Sequence, residues 1–226
     1  RSKEVVTTGL HPTQEGVVGR RPVVTTSFLS ARNRVPDPCA LIIFGATGDL
    51  TRRKLLPAIW QLAEAKRLPQ QFILVGVGRS SWSEDMFRDQ MRAALRELAD
   101  IEGTRIDSFL QMLHYVSGDP SDPKTYRLLA KRLRELDYKN GTCGNRCFYF
   151  SVPPQVYLQI VERMGEVGLN REHSEECEGW VRIVVEKPFG HDIESARALN
   201  STLHSVFHEH QIFRIDHYLG KETVQN

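Results

Sequence analysis

The chain has 226 residues, a mass of 25.8 kDa, 40% hydrophobic residues and 26% charged residues, which excludes disorder throughout. Its net charge of +2 is too small for a protein that binds nucleic acid by neutralising phosphates. The longest apolar runs, residues 40–44 and 72–75, are much shorter than the roughly 20 residues of a membrane-spanning helix. We therefore expect one complete domain and a remnant, with no nucleic-acid partner and no membrane insertion.

Residues 1–38 differ in composition from the rest of the chain. They contain eight Ser or Thr, six Arg or Lys and three acidic residues, without a sustained helical or strand period. A hydroxyl-rich, basic, acid-poor segment is typical of the region that follows an organellar transit peptide, and also of an ordinary disordered extension. Both interpretations stay open, and Pro36-Asp37-Pro38 marks the predicted end of this leader or linker.

From residue 40 onward, short apolar runs alternate with amphipathic stretches of helical period. The predicted strands span residues 40–44, 72–77, 113–116, 146–152, 181–185 and 211–215. The predicted helices span residues 48–64, 84–98, 123–136, 154–167 and 193–207. Such alternation forms a parallel sheet, because right-handed crossovers carry the helices to both of its faces. The sequence predicts a doubly wound α/β, Rossmann-like domain over residues 39–214, and residues 215–226 are expected to begin a second, truncated domain.

Two glycines lie where the first predicted strand turns into the first helix, in the sequence Gly45-Ala46-Thr47-Gly48-Asp49-Leu50. Glycine lets the backbone approach a pyrophosphate, and a helix N-terminus supplies unpaired N–H groups and the positive end of a dipole. A tight turn without a ligand would show the same glycines. The complete strand, turn and helix context favours a dinucleotide-binding site.

The second predicted strand ends in residues 75–80, which contain no acid. An acid at this position binds the ribose 2′-hydroxyl of NAD, whereas an arginine accommodates the 2′-phosphate of NADP. Arg79 follows the strand, and Arg52, Arg53 and Lys54 add positive charge beside the glycine turn. These residues predict NADP as the cofactor, and the competing interpretation is that Arg79 is a solvated surface arginine.

A lysine motif follows the fifth predicted strand, in the sequence Glu186-Lys187-Pro188-Phe189-Gly190. Ligands of open α/β sheets bind at the carboxyl ends of the strands, where Lys187 is expected to lie. Pro188 also biases Lys187 toward an extended conformation. Lys187 is therefore a candidate donor to a substrate oxygen, and an exposed lysine without a function is the alternative.

The segment after the sixth predicted strand has the highest density of polar residues, six in the nine positions 214–222. Asp216 is of the type that orients a catalytic histidine. His217, Tyr218 and Lys221 are suited to hold a phosphate. A solvated helix start is the alternative interpretation.

Potential metal ligands are present but poorly arranged. Cys143 and Cys147 are separated by three residues, and no second cysteine pair completes a zinc site nearby. His204 and His208 have the i, i+4 spacing of a chelating pair, but no acidic third ligand is suitably placed, so we interpret them with His210 as a solvated helix face. The sequence predicts no metal, and its four cysteines are expected to be reduced thiols.

Taken together, the glycine turn, the lysine motif and residues 214–222 closely resemble the glucose-6-phosphate dehydrogenase family, over about residues 40–226. With the composition of the leader, the resemblance is to a plastid member from a plant or alga. This implies a location in the chloroplast stroma, with the cytoplasm as second choice. It also implies oxidation of glucose 6-phosphate to 6-phosphogluconolactone with reduction of NADP⁺, the first step of the oxidative pentose phosphate pathway.

The resemblance implies roles for individual residues. It places the cofactor on Gly45, Ala46, Thr47, Gly48, Asp49, Leu50, Thr51, Arg52, Arg79, Tyr157 and Lys187. It places the substrate on Lys187, His217, Tyr218 and Lys221, and the catalytic roles on Lys187 and Asp216. In the family, Asp216 matches the aspartate that orients a base histidine, which belongs to a later segment beyond residue 226. The family's second domain also makes the subunit contacts, so a homo- or hetero-oligomer is expected.

Other functions fit parts of this pattern. A short-chain dehydrogenase would need a Tyr-x-x-x-Lys pair, and none of the six tyrosines has a lysine four residues later. A non-catalytic NADP-binding subunit that partners an active homologue stays open, and the absence of a base histidine beyond residue 226 would favour it. Redox switching of the thioredoxin-linked plastid type is not expected, because residues 82–116 contain no cysteine.

Overall fold

Six strands form one parallel sheet in the computed structural model, which describes residues 35–98, 104–172, 179–187 and 192–215. The strands are β1 (Cys39–Phe44), β2 (Phe72–Gly78), β3 (Leu113–Ser117), β4 (Arg146–Phe150), β5 (Val181–Glu186) and β6 (Ile212–Ile215). Their order across the sheet is β3-β2-β1-β4-β5-β6, and every neighbouring pair is parallel. This is the order of a doubly wound dinucleotide-binding fold, so the predicted fold class is confirmed.

Helices cover both faces of this sheet. They are α1 (Leu56–Glu64), α2 (Glu84–Leu98), α3 (Thr104–Gln111), α4 (Pro123–Asn140), α5 (Tyr157–Glu166) and α6 (Ile193–Val206). Successive residues of β1 point to opposite faces, so Ile43 joins the core under α1, α2 and α3, whereas Ile42 and Phe44 join the core under α4, α5 and α6. Burial on both faces explains why β1 is a continuous apolar run. No helix within the described ranges is long and apolar enough to cross a membrane.

Several element bounds differ from the predicted ones. The predicted helix over residues 48–64 begins as a π-helical turn at Thr51–Leu55 and continues as α1. The predicted helix at residue 154 begins as a 3₁₀ turn, Pro154–Val156, before α5. Strand β4 ends at Phe150 rather than at residue 152, and Ser151 N–H makes the last ladder bond, to Phe44 O at 2.9 Å. Pro153 and Pro154 follow, and proline has no N–H with which to continue the ladder.

Helix α4 shows how local signals set an element's ends. Asp122 accepts a hydrogen bond from the Lys124 N–H at 2.9 Å, and Pro123 occupies the first helical position. The helix runs to Asn140, four residues beyond the predicted end, because its stop signal is Gly141, whose φ of 69° ends the helix in the left-handed conformation. Helix α3 was absent from the predicted elements, although Ile106, Phe109 and Leu110 form its buried stripe.

The proposed boundaries at residues 38 and 214 stay predictions. Residues 1–34 and 216–226, which contain most of the predicted leader and of the predicted second domain, lie outside the described residues.

Candidate functional site

The glycine turn follows β1 at the centre of the sheet's carboxyl edge. The N–H groups of Gly45 and Ala46 donate to Val77 O, at 2.9 and 3.1 Å. Gly45 has a φ of 84°, and a Cβ on it would lie 2.1 Å from Ser151 O. Only glycine fits a position that is both left-handed and this close to another backbone. The turn is therefore held tightly between the ends of β2 and β4, with Gly48 N–H bonded back to Gly45 O at 3.0 Å.

The helical turn after the glycines supports them and carries positive charge. Thr51 is 1% exposed, and its Oγ1 lies 3.2 Å from Gly45 O and 3.0 Å from Ser151 Oγ. Arg53 makes an exposed i, i+4 ion pair with Asp49, at 3.7 Å, which contributes little to stability. Within the described part of the chain, the Nε of Arg52 is buried and has no hydrogen-bond partner. This unused donor beside the turn fits an anionic ligand.

Arg79 lies next to the glycine turn. It is exposed, directly after the last residue of β2, Gly78. A Cβ on Gly78 would lie 3.2 Å from Thr47 Oγ1, which shows that the strand end and the turn are in contact. The following carbonyl, Ser80 O, accepts hydrogen bonds from Tyr115 at 2.8 Å and from Ser117 at 3.0 Å. Strand β3 therefore holds the segment that carries Arg79.

The structure adds one acid that the sequence analysis missed. Asp119 follows β3, and hydrogen bonds from the hydroxyl and N–H of Ser121 lower its pKa, with the charge of Arg79 contributing in the same direction. The end of β2 contains no acid, as the sequence shows. The neighbouring strand β3 is followed by Asp119, which lies close enough to Arg79 for the arginine charge to lower its pKa. The pairing of β2 with β3 is the signal that would have found it, since Asp119 lies two residues after the end of β3.

Lys187 lies at the same carboxyl edge, on the other side of the glycine turn. It is exposed directly after β5, and its backbone N–H donates to Ile215 O in β6 at 3.3 Å. The preceding residue, Glu186, is 9% exposed and accepts a hydrogen bond from the Tyr149 hydroxyl in β4. Tyr149 and Glu186 were not among the predicted site residues, and their contact depends on a strand order that the sequence alone does not reveal.

Tyr157 is a core residue at the start of α5. It is 2% exposed, its ring packs at 5.3 Å against that of Phe150, and its hydroxyl donates to Phe150 O at 3.4 Å. Burial raises the pKa of Tyr157, and the charge of Glu186 adds to this shift. Its direct contact with a cofactor stays a prediction.

The candidate substrate residues of the last motif fall outside the described part of the chain. These residues are Asp216, His217, Tyr218 and Lys221. Their implied roles in orienting a base and holding a phosphate therefore stay predictions.

The histidines near the end of α6 make local contacts. His204 Nε2 lies 3.1 Å from Glu209 Oε2, and His210 Nε2 lies 2.8 Å from Glu172 Oε2. The rings of His208 and His210 stack, with centroids 5.6 Å apart. No group of three or more His, Cys, Asp or Glu side chains in the described ranges is arranged to hold a metal ion.

Two of the cysteines are protected thiols. Burial raises the pKa of Cys39 to about 11 and that of Cys147 to about 12. Because the thiolate is the reactive form, both are protonated and unreactive at neutral pH. Cys143 is a free, exposed cysteine after α4.

Comparison with known proteins gives a consistent family. Residues 42–226 match the family model for the NAD-binding domain of glucose-6-phosphate dehydrogenase. The chain is 46% identical over 190 residues to the glucose-6-phosphate 1-dehydrogenase of Aggregatibacter actinomycetemcomitans, covering 84% of this chain and 38% of that one. It is 42% identical over 195 residues to the glucose-6-phosphate 1-dehydrogenase 2 of Mycobacterium tuberculosis, covering 85% of this chain and 37% of that one.

Solved structures show the same relation. A glucose-6-phosphate dehydrogenase in complex with its substrate glucose-6-phosphate superimposes with a TM-score of 0.73 and 32% identity, covering 85% of this chain and 39% of that one. Glucose-6-phosphate 1-dehydrogenase from Mycobacterium avium superimposes with a TM-score of 0.69 and 33% identity, covering 84% of this chain and 38% of that one. The chain thus spans less than two fifths of the length of these relatives. It belongs to the glucose-6-phosphate dehydrogenase family, of which it contains the NAD-binding domain.

Proposed function

We propose that the protein containing this chain oxidises glucose 6-phosphate at C1, passing hydride to NADP⁺ and releasing 6-phosphogluconolactone. The observation that carries this proposal is the glycine turn, where Gly45 leaves no room for a side chain and Arg79 lies beside it. The family assignment supplies the reaction class, and Arg79 supplies the choice of NADP over NAD.

The residues around the glycine turn suit the anionic parts of the cofactor. The pyrophosphate would lie against the backbone of residues 45–48 and the start of the following helical turn. Arg52 has an unused buried donor there. Arg79 would bind the 2′-phosphate, because its guanidinium matches a phosphate with two parallel hydrogen bonds. When bound, NADP⁺ supplies the nicotinamide ring that accepts the hydride.

The residues at the ends of β5 and β6 would bind and orient the sugar. Lys187 would donate a hydrogen bond to a substrate oxygen, and its backbone attachment to Ile215 holds it at that edge. His217, Tyr218 and Lys221 would bind the sugar phosphate. A base must take the proton of the C1 hydroxyl as hydride leaves C1, and Asp216 would orient that base.

The test is an assay of NADPH formation by the full-length gene product with glucose 6-phosphate as substrate. We expect turnover with NADP⁺ and its loss in Lys187→Ala, while the glycine turn and Arg79 retain most of the NADP affinity. A folded protein that binds NADP without turnover would contradict the proposal and favour a non-catalytic NADP-binding subunit.

We propose a plastid location as well. The support is the composition of residues 1–38, rich in hydroxyl and basic side chains and poor in acids. A fluorescent protein carrying these residues behind the native N-terminus should be imported into chloroplasts. A uniformly cytoplasmic signal would contradict this location.

We also propose that the full-length protein is a homo- or hetero-oligomer. The family assignment supports this, with the contacts formed by the family's second domain. Sedimentation of the full-length gene product should show a species larger than one subunit, and a monomer at micromolar concentration would contradict the proposal.

A further inference from the structure

A hydrogen-bonded pair links β4 and β5 at the edge that carries Lys187. In the parallel ladder Tyr149 lies opposite Val184. Glu186 is two residues farther along β5 and therefore on the same face of the sheet as Val184. A long side chain reaches such a diagonal neighbour, and the Tyr149 hydroxyl donates to Oε1 of Glu186.

This pair is largely shielded from water. Glu186 is 9% exposed and Tyr149 is half-buried. Burial raises the pKa of Tyr149, and the hydrogen bond and charge of Glu186 raise it further, so the phenol stays protonated as a donor. A buried carboxylate is costly unless donors satisfy it. The Tyr149 hydroxyl therefore stabilises Glu186 in its observed orientation.

The backbone at the end of β5 is also hydrogen-bonded to the neighbouring strand β6. Glu186 is in register with Ile215, and the Lys187 N–H donates to Ile215 O at 3.3 Å. Glu186 is thus held through its side chain from β4 and through its backbone from β6. The next residue along the chain is Lys187.

We propose that Tyr149 is a positioning residue of the dehydrogenase reaction, which holds Lys187 toward the substrate by fixing the carboxylate of Glu186. This inference rests on the proposed function. Displacements of about 1 Å at a substrate-binding group are sufficient to slow a reaction strongly. Without the Tyr149 donor, the carboxylate of Glu186 loses one of the hydrogen bonds that fix it, and the adjacent Lys187 is held less precisely.

The first test compares Tyr149→Phe with Tyr126→Phe in the full-length gene product. Tyr126 is a matched control, because it is a fully buried tyrosine whose hydroxyl donates to Pro120 O at 2.8 Å in the other core. We expect Tyr149→Phe to lower kcat/KM for glucose 6-phosphate about tenfold, the effect of losing a hydrogen bond to a charged group. KM for NADP should change less, because the glycine turn and Arg79 also bind the cofactor, and Tyr126→Phe should change neither constant.

A second pair of variants separates positioning from folding. Glu186→Gln keeps an oxygen that accepts from Tyr149, so it should retain most of the activity, whereas Glu186→Ala should lose as much as Tyr149→Phe. Unchanged kcat/KM in Tyr149→Phe, or equal losses in Tyr149→Phe and Tyr126→Phe, would overturn the proposal.

A third measurement does not depend on activity. Brief acetylation followed by mass spectrometry gives the reactivity of the Lys187 amine relative to that of Lys131, an exposed lysine on α4. We expect this ratio to differ from one in the wild type and to move toward one in Tyr149→Phe. A ratio of one in the wild type, or no change in the variant, would overturn the positioning role, whereas a wild type without turnover would overturn only the proposed function.

Discussion

Gly45 combines two constraints in one residue. Its φ of 84° lies in the left-handed region, and an added Cβ would lie 2.1 Å from Ser151 O. Gly141 has a similar φ of 69°, but the nearest atom to its added Cβ is 3.8 Å away. Substitutions at these two glycines therefore distinguish the energetic cost of the left-handed backbone from the cost of a steric clash.

We expect Gly45→Ala to lower the free energy of unfolding by about 3 kcal/mol, since backbone strain and overpacking add. Gly141→Ala should cost about 1 kcal/mol, because it adds only the conformational strain. Urea denaturation of both variants measures the difference. Equal losses would mean that the contact with Ser151 O relaxes without cost.

Arg79 is expected to determine the preference for NADP. Arg79→Ala should weaken NADP binding by about 1.5–3 kcal/mol, the range for a hydrogen bond to a charged group, with little change for NAD. Calorimetric titration with both cofactors checks this. Arg134→Ala, at an exposed position on α4, is the control for loss of a surface charge. Equal losses for NADP and NAD in Arg79→Ala would show that Arg79 does not contact the 2′-phosphate.

At the scale of elements, an ionic cluster joins α2, β3 and α4. Glu84 Oε1 lies 2.7 Å from Arg88, and its Oε2 lies 3.0 Å from Arg132 and 3.1 Å from His114 Nδ1. Burial raises the pKa of Glu84, but its three basic neighbours outweigh this, and the net shift is downward. Burial also lowers the pKa of His114, and Glu84 offsets only part of that shift.

Both shifts make the fold less stable in acid. When the pH falls below 6.5, the ordinary value for His114, the unfolded state binds a proton before the folded state does. The stability that depends on neutral His114 is therefore lost from that pH downward, with a slope of up to about 1.4 kcal/mol per pH unit. The contribution of ionised Glu84 is lost at lower pH, as the pH falls through its lowered pKa.

We expect His114→Gln to flatten the decline of unfolding free energy just below pH 6.5. Denaturation at a series of pH values measures the slope. An identical slope in wild type and His114→Gln would contradict the account.

Comparison of the predicted with the observed strands and helices shows which features of the fold the hydrophobic pattern predicts well. All six strands were predicted, because an apolar run between turn residues is a strong signal when both of its faces are buried. Helix α3 was missed because it has only eight residues, Thr104–Gln111, too few for a clear repeat. The end of β4 was placed two residues too late, because the apolar Val152 extends the strand pattern although the strand stops before Pro153 and Pro154.

At the scale of the whole molecule, the parallel sheet explains which parts of the site the sequence predicts. Gly45, Arg79 and Lys187 each follow a strand, and parallel strands bring such positions to one edge. The influence of the Arg79 charge on Asp119 and the hydrogen bond of Tyr149 to Glu186 were not predicted. Each joins residues on adjacent strands that are far apart in the chain, so it depends on the strand order and on which face each side chain occupies.

We propose that this chain is the NADP-binding part of a glucose-6-phosphate dehydrogenase, and it spans less than two fifths of the length of the relatives that it matches. Calorimetric titration of the folded 226-residue chain with NADP and with NAD tests it most directly. We expect NADP to bind more tightly than NAD, and no NADPH to form when glucose 6-phosphate is added. A folded chain that binds neither cofactor, or that prefers NAD, would contradict the claim, and measurable turnover would place the catalytic base within this chain, with His217 the first candidate.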